Sequence, residues 1–220
     1  HTGLIPFMMK YCFAFSRLQY LKTVFTIHNA AYQGLMDSER YHLLPVFDDW
    51  KMGLLLWNNQ INSLACAVKC ADRVTTVSQG YLSELFYNGY GLEQLFQLEQ
   101  QKCKGILNGI DDEVWNPASD GMIAVKYNQG IADWGKYANK MHVCKALGLN
   151  TELPLFVFIG RLVREKAADL LPLTLRETYR LFPEKFSCIV LGNGEPAFED
   201  ELIKMNEQYP GFYHAQINYD

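Results

Sequence analysis

The sequence predicts an α/β protein in two halves, each with β-strands and α-helices that alternate along the chain. Short apolar or β-branched runs are followed by helical patterns in both halves, as in the βαβ units of a parallel sheet. Several predicted strands end in polar residues or glycine, at the edge where open α/β sheets bind ligands. A hydrophobic content of 49% and a charged content of 20% over 220 residues indicate a globular chain.

Charge and composition exclude several function classes. The net charge of −4 and a pI near 5.8 argue against a nucleic-acid partner, so any phosphate recognition is local. We find no secretory signal and no apolar run of membrane-spanning length. The six cysteines include no C-x-x-C pair, which predicts buried thiols in a reducing cytoplasm and no metal site. We therefore expect a cytoplasmic protein without a membrane partner.

The first half opens with residues 4–15, which predict a buried helix. Residues 22–27 are β-branched and predict a central strand that runs into His28 and Asn29. Residues 54–71 carry apolar side chains at spacings of three and four, so they predict one continuous helix. The remaining elements are a strand, a helix and a short strand, at residues 72–78, 79–86 and 104–107.

Residues 109–136 differ from both halves because they contain few apolar runs and many turn residues. They predict an interdomain connection or a long ordered loop. We place the domain boundary after residue 116, which gives domains at residues 1–116 and 117–220.

The second half begins with a predicted helix at residues 137–147, stopped by Gly148. A buried strand at residues 155–159 leads into a basic loop, and a helical pattern follows from Ala167. Pro172 either kinks this helix or marks its true start. The last elements are a strand, a helix and a strand, at residues 187–191, 197–208 and 212–217.

The basic loop is the strongest chemical signal. Gly160 ends the strand, and Arg161, Arg164 and Lys166 follow within seven residues. A strand that leads through glycine and cations into a helix N-terminus is suited to hold phosphate, because free N–H groups and positive charge converge there. The alternative is a solvated basic turn at the surface.

The other candidate residues also follow predicted strands. Gly192, Asn193 and Gly194 form a G-x-G turn where the backbone can approach a base or ribose, although glycine closes any tight turn. His28 lies either in a ligand crevice or in the core, and Asn108 is either a site residue or a turn former. No nucleophile elbow, zinc-protease motif or Walker loop is present.

Five segments, spread over nearly the whole chain, match one known family in the same order. They are TVFTIHNAAYQG (23–34), ADRVTTVSQGYLSEL (71–85), GYGLEQL (89–95), GILNGIDDEVWNPASD (105–120) and FIGRLVREKAADLL (158–171). Together they resemble the glycogen and starch synthases of the bacterial and plant type, family five of the glycosyltransferases. The pair TIHN-AYQG and LNGID-x-x-VWNP is the most specific part of this resemblance.

The resemblance implies the GT-B architecture, with two Rossmann-like lobes that are each only partly present in this chain. It also implies transfer of glucose from ADP-glucose to the non-reducing end of an α-1,4-glucan, with retention at the anomeric carbon. ADP-glucose and the glucan are then the partners, and neither a metal nor another cofactor is needed.

The resemblance also assigns roles to residues. Arg161 and Lys166 match the family's phosphate-binding cations, which would stabilise the charge that develops on the diphosphate leaving group. His28 matches a histidine that hydrogen-bonds the donor glucose, and Asn108 matches an asparagine of the donor pocket. Residues 192–194 match the loop that approaches the nucleotide, with all three positions counted as binding residues.

Some features depart from the family pattern. Ala167 stands where the family usually has glycine, and Arg164 matches no fixed role. The chain begins at His1 in mid-pattern and ends just after a predicted strand. The resemblance places one donor-contacting segment upstream and another downstream of these residues, so we expect a central fragment with exposed sheet edges and apolar surface.

Two other functions remain open. In the first, the chain is a non-catalytic fragment that binds nucleotide or glucan. In the second, it is part of another GT-B glycosyltransferase such as a sucrose synthase. The TIHN-AYQG spacing argues against this second alternative.

Overall fold

The computed structural model describes residues 2–217, and the chain divides into two compact units. Unit 1 is His1–Ile110 and unit 2 is Asp111–Asp220. The boundary predicted after residue 116 lies in the loop region that begins unit 2.

Unit 1 combines short strands with short helices. Its strands are β1 (Val24–Ile27), β2 (Leu35–Asp37), β3 (Leu56–Trp57), β4 (Gln60–Asn62), β5 (Arg73–Thr76) and β6 (Cys103–Gly105). Its α-helices are α1 (Ile5–Tyr11), α2 (Met52–Leu55), α3 (Ser63–Cys70), α4 (Gln79–Leu85) and α5 (Glu93–Leu98). Short 3₁₀ helices span Thr2–Leu4, Phe13–Leu18, Ser38–Leu43, Asp49–Lys51 and Gln100–Lys102.

The main sheet of unit 1 is parallel, in the order β1-β5-β6. Ile27, Thr76 and Gly105 are aligned across it, so the three strands end at the same edge. The prediction that β1 is central is wrong, because β5 takes that position. Val24, at the start of β1, is 67% exposed.

A β-hairpin interrupts the helix predicted at residues 54–71. Trp57 pairs with Gln60 across the two-residue turn Asn58-Asn59, which joins β3 to β4. Both asparagines have positive φ, 51° and 61°, as type I′ hairpin turns require. The apolar residues keep a helical spacing across this segment because α2 and α3 flank it. The hydrophobic pattern therefore does not reveal the turn.

The core of unit 1 surrounds α3, whose side chains are almost all buried. Asn62 begins this helix, since its Oδ1 accepts a hydrogen bond of 2.9 Å from the Ala65 N–H. The first predicted helix was too long. It ends at Tyr11 because Cys12 is extended and bridges to Phe47, and an exposed 3₁₀ helix follows.

Unit 2 contains a parallel sheet in the order β7-β8-β9. Its strands are β7 (Leu155–Ile159), β8 (Ser187–Leu191) and β9 (Tyr213–Gln216). Its α-helices are α6 (Ala132–Ala146), α7 (Leu171–Leu181) and α8 (Pro196–Gln208), and 3₁₀ helices span Gln129–Ile131 and Arg164–Lys166. Gly148 follows α6 with φ +67°, which confirms its predicted role at the helix end.

Strand β7 was predicted at its observed bounds, but its predicted burial is wrong. β7 is the edge strand of the described sheet, and Phe156, Val157 and Ile159 are 60%, 51% and 67% exposed. On one face of the sheet, α7 and α8 pack against residues such as Val190. The other face forms an apolar groove of about 370 Å³ beside α6. Unit 2 thus has the exposed sheet edge and apolar surface expected of a partial lobe.

Among residues 2–217, no helix has the length and apolar character needed to cross a bilayer. All six cysteines are free, and the predicted burial is confirmed for all of them except Cys103, which is half-buried. No cluster of three or more histidine, cysteine, aspartate and glutamate side chains is arranged to hold a metal ion in the part of the chain that the structure describes.

Candidate functional site

The predicted residues of unit 1 lie at the carboxyl edge of its parallel sheet. His28 directly follows β1, and Asn108 lies three residues after β6. These strands flank β5, which separates their ends by about 10 Å at the usual strand spacing. Both residues are exposed, so His28 is not a core histidine.

The loop that follows His28 is fixed by hydrogen bonds. The Asn29 Oδ1 accepts from the Ala31 N–H at 2.9 Å, and the Ala30 N–H donates to the Tyr81 hydroxyl at 2.8 Å. Since Tyr81 belongs to α4, the loop is tied to the helix behind the sheet. The backbone that carries His28 is therefore held in place while its side chain stays accessible.

Gly105 explains how the segment that leads to Asn108 leaves the sheet. A Cβ at this position would collide with the backbone of Ser78 and Gln79, at the start of α4. The Ser78 hydroxyl caps that helix by accepting from the Tyr81 N–H at 2.9 Å. Close packing of β6 against the α4 N-terminus therefore requires glycine.

A strong electrostatic perturbation lies at the opposite edge of this sheet. Asp72 precedes β5, and a hydrogen bond of 2.8 Å from the Thr23 N–H, together with Lys10 at 3.1 Å, holds its pKa well below the usual range. Because Asp72 is at the amino end of the strands, it ties strand starts together and is separate from His28.

The basic loop of unit 2 is exposed, and two buried residues anchor it. Leu162 and Ala168 are both 0% exposed, whereas Arg161, Arg164 and Lys166 are accessible. Backbone hydrogen bonds close a 3₁₀ turn inside the loop, from the Lys166 N–H to the Val163 carbonyl at 2.9 Å, for example. Arg164 and Lys166 thus lie on a turn with buried ends, and Arg161 lies directly before the first of these ends.

The helix expected directly after Lys166 is absent, which corrects the sequence prediction. Ala167 is left-handed, with φ +57°, and α7 begins only at Leu171. Pro172 lies in the first turn of α7, so it marks the true start and lacks an N–H. The left-handed residue breaks the helical path, so an α7 N-terminus does not directly follow Lys166.

Arg161 has a partner within its own loop. Its Nη2 lies 3.5 Å from the Glu165 Oε2, and both side chains are largely exposed. Such a pair adds little stability, and a ligand with more negative charge competes for the guanidinium. Arg161 is therefore only weakly held by Glu165 and stays available to an anion.

The glycine loop packs directly on the basic loop. The Leu162 N–H donates to the Asn193 carbonyl at 2.8 Å, and the Glu195 N–H donates to the Leu162 carbonyl at 2.9 Å. A Cβ at Gly192 would overlap the Gly160 carbonyl oxygen, and one at Gly194 would overlap the Leu162 carbonyl. These glycines allow contact between the loops. Their approach to a nucleotide stays a prediction.

The structure brings the predicted residues together within each unit. In unit 2 it joins the loop of Arg161 and Lys166 to residues 192–194. In unit 1 it places His28 and Asn108 at one sheet edge.

Sequence reasoning missed the hairpin that carries Trp57, whereas the turn that it predicts at residues 87–91 is confirmed. The pattern W-N-N-Q is the signal for the hairpin, because Asn-Asn between strand-forming residues tolerates positive φ.

Comparisons with known proteins agree with the sequence resemblance. Residues 1–98 match the family model of the starch synthase catalytic domain. The whole chain aligns with the glycogen synthase of Flavobacterium johnsoniae at 46% identity, over 46% of that protein. It also aligns in full with the glycogen synthase of Cellvibrio japonicus at 37% identity, over 45% of that protein. The chain therefore spans about half the length of these relatives.

A solved structure supports the same assignment. The catalytic domain of starch synthase IV from Arabidopsis thaliana, bound to ADP and acarbose, superposes on the whole chain with a TM-score of 0.81 and 26% identity, and the chain covers 46% of it. This match confirms the predicted α/β fold class. The chain is thus similar along its full length to glycogen and starch synthases of the bacterial and plant type, of which it spans about half.

Proposed function

We propose that the protein carrying this chain transfers glucose from ADP-glucose to the non-reducing end of an α-1,4-glucan, with retention. The observation that carries the proposal is similarity over the whole chain to glycogen synthases, at 46% identity in one case. ADP, the leaving group of the proposed donor, is bound in the related starch synthase structure. The free cysteines fit a reducing cytoplasm as the place of this reaction.

The basic loop would hold the diphosphate of the donor. Negative charge builds on the diphosphate as the bond to glucose breaks, and fixed cations stabilise that charge more than they stabilise the ground state. Lys166 is exposed on a turn that lies between the buried residues Leu162 and Ala168. Arg161 is exposed directly before Leu162, so the backbone of both cations is restrained before ligand binds. In this proposal the two cations replace a metal ion as the electrophilic groups.

His28 and Asn108 would recognise the glucosyl part of the donor. Each follows a strand at the carboxyl edge of the unit 1 sheet, and each side chain is exposed. An imidazole and an amide can both donate and accept hydrogen bonds, which suits sugar hydroxyls.

The test is incorporation of labelled glucose from ADP-glucose into glycogen by the protein that carries this chain. UDP-glucose is the matched donor, and digestion of the product with an α-1,4-specific glucosidase establishes linkage and configuration. We expect incorporation from ADP-glucose and release of all label by the glucosidase. If neither ADP-glucose nor UDP-glucose gave incorporation, the proposed function would be refuted.

A second candidate applies to the 220-residue chain by itself. Because it covers only 46% of its relatives, the chain alone is a candidate for binding ADP without transferring glucose. Calorimetric titration with ADP, combined with the incorporation assay, separates the two. Binding without incorporation supports the second candidate, and incorporation by the chain alone excludes it.

A further inference from the structure

Unit 1 contains a pocket of about 370 Å³ that includes none of the residues assigned above. Its wall is formed by the β3–β4 hairpin, part of the loop that follows His28, and the turn at residues 90–91. The volume lies in the range of small-molecule sites. The pocket is built within one unit.

The lining of this pocket is aromatic and polar but uncharged. Trp57 and Tyr90 supply the rings, and none of the described residues that line it carries a charge. The side-chain amides come from two glutamines and two asparagines: Gln33, Asn58, Gln60 and Asn62. This chemistry differs from that of the basic loop of unit 2, because it offers hydrogen bonds and ring faces without net charge.

The inner groups of the pocket are locked together. The Asn62 amide donates to the Gln33 Oε1 at 2.6 Å, and the Gln33 amide donates to the Tyr90 carbonyl at 2.8 Å. The Trp57 indole N–H donates to the Gly91 carbonyl at 2.9 Å. The hairpin, the loop and the turn are therefore fixed relative to one another before any ligand binds, which lowers the entropic cost of binding.

The outer groups are available to a ligand. Tyr90 is 54% exposed, and Asn58 and Gln60 are exposed as well. Across residues 2–217, neither of these two side-chain amides has a hydrogen-bond partner. An exposed amide presents one acceptor and two donor protons, and an exposed tyrosine presents a ring and a hydroxyl.

Left-handed backbone is concentrated around this pocket. Asn58, Tyr90 and Gly91 line it with φ of 51°, 57° and 85°. Asn59 and Gly34, with φ of 61° and 66°, adjoin these lining residues. In the described part of unit 1, these are all of the residues with positive φ. A left-handed tyrosine is unfavourable, and such conformations cluster at ligand sites.

We propose that this pocket binds neutral sugar units of an α-1,4-glucan. Amides can hydrogen-bond sugar hydroxyls in both directions, and the rings of Trp57 and Tyr90 can pack against the apolar faces of a sugar. The uncharged lining argues against a nucleotide, a phosphate or a metal ion. The proposal rests on the proposed function for the choice of α-1,4-glucan, and it adds a place where the acceptor is held.

The test is titration of the 220-residue chain with maltoheptaose in the absence of nucleotide, with cellohexaose as the control sugar. Tyr90→Gly removes the ring and keeps a residue that tolerates positive φ. Asn58→Gly removes an amide and keeps the hairpin turn. We expect affinity to fall at least about tenfold for Tyr90→Gly and about threefold for Asn58→Gly, from the usual worth of an aromatic contact and a hydrogen bond.

Two matched variants control for turn and surface effects. Asn59→Gly changes the neighbouring turn residue, which does not line the pocket, and Tyr87→Ala removes a tyrosine that is 86% exposed elsewhere. We expect both to bind maltoheptaose as the unmodified chain does. The Trp57 indole N–H resonance, identified by Trp57→Phe, should shift with maltoheptaose and stay in place with cellohexaose.

The outcomes separate this site from the proposed reaction. Maltoheptaose binding that Tyr90→Gly weakens at least about tenfold supports the site even if no glucose is transferred, in which case only the proposed function fails. Failure of the unmodified chain to bind maltoheptaose overturns the site, as does equal affinity in Tyr90→Gly. A Trp57 resonance that responds equally to cellohexaose overturns the α-1,4 specificity.

Discussion

The two loops at the carboxyl edge of the unit 2 sheet differ in what they contribute. The basic loop after β7 carries exposed cations and a left-handed alanine, whereas the glycine loop after β8 carries no charge and packs against its neighbour. One loop supplies charge for a ligand, and the other supplies the shape that holds the first loop in place. Removal of a cation from the basic loop should therefore reduce activity without reducing stability. A bulkier residue in the glycine loop should instead lower the free energy of unfolding.

The largest expected effect is on the glycine loop. Gly192→Ala places a methyl group against the Gly160 carbonyl oxygen, so the two loops must separate. We expect a loss of about 3 kcal/mol or more in the free energy of unfolding, because backbone atoms cannot yield as a flexible side chain does. Denaturant unfolding measures this change.

Gly121→Ala is the matched control for that experiment. No atom lies within 4 Å of the position of its Cβ, and it too belongs to unit 2. We expect a change within about 0.5 kcal/mol. If Gly192→Ala were equally mild, contact between the loops would not be the reason for this glycine.

The next effect concerns the charge of the basic loop. Lys166→Ala in the protein that carries this chain should reduce glucosyl transfer roughly a hundredfold, as for the loss of one group that stabilises an oxyanion. The unfolding free energy should change little, since the side chain is exposed. Transfer assays with ADP-glucose and denaturant unfolding provide the two measurements.

Arg164→Ala is the control for Lys166. Arg164 lies on the same 3₁₀ turn and is also exposed, but the resemblance gives it no role. We expect at least half of the transfer rate to remain. Equal losses in the two variants would mean that the loop acts through its total charge and not through Lys166.

A smaller effect is expected at Ala167, where the basic loop holds a left-handed residue. Ala167→Gly should stabilise unit 2 by about 1 kcal/mol, because glycine adopts φ +57° without the steric cost borne by alanine. Thermal unfolding would detect the gain. Ala168→Gly should instead destabilise the unit, since Ala168 is fully buried. A loss of stability in Ala167→Gly would contradict the assignment of strain.

The smallest effect concerns the pair of Arg161 and Glu165. Glu165→Gln should change the unfolding free energy by less than about 0.5 kcal/mol, because the pair is exposed. It should also tighten ADP binding about twofold to threefold at low salt, since a carboxylate is removed from the anion's neighbourhood. Weaker ADP binding in this variant would show that Glu165 orients Arg161 for the ligand.

Sequence prediction succeeded where an element depends on local signals and failed where it depends on its surroundings. Strand β8 was predicted at its observed bounds because its apolar run and flanking turn residues are local signals. The hairpin at Asn58 and Asn59 was missed, since helices on both sides kept a helical spacing. The sequence does not decide whether the helix begins at Ala167 or near Pro172. The left-handed backbone of Ala167 settles this point, because it prevents a helix from beginning there.

The same division applies to the candidate sites. The sequence by itself determined the alternation of strands and helices, the family resemblance, and the cations after β7, because these depend on composition and order. Only the tertiary structure showed that Gly192 and Gly194 serve contact between loops, that β7 is an exposed edge, and that Trp57, Asn58 and Tyr90 line one pocket. Those properties depend on contacts between segments that are distant in the sequence, and a local sequence pattern does not specify such contacts.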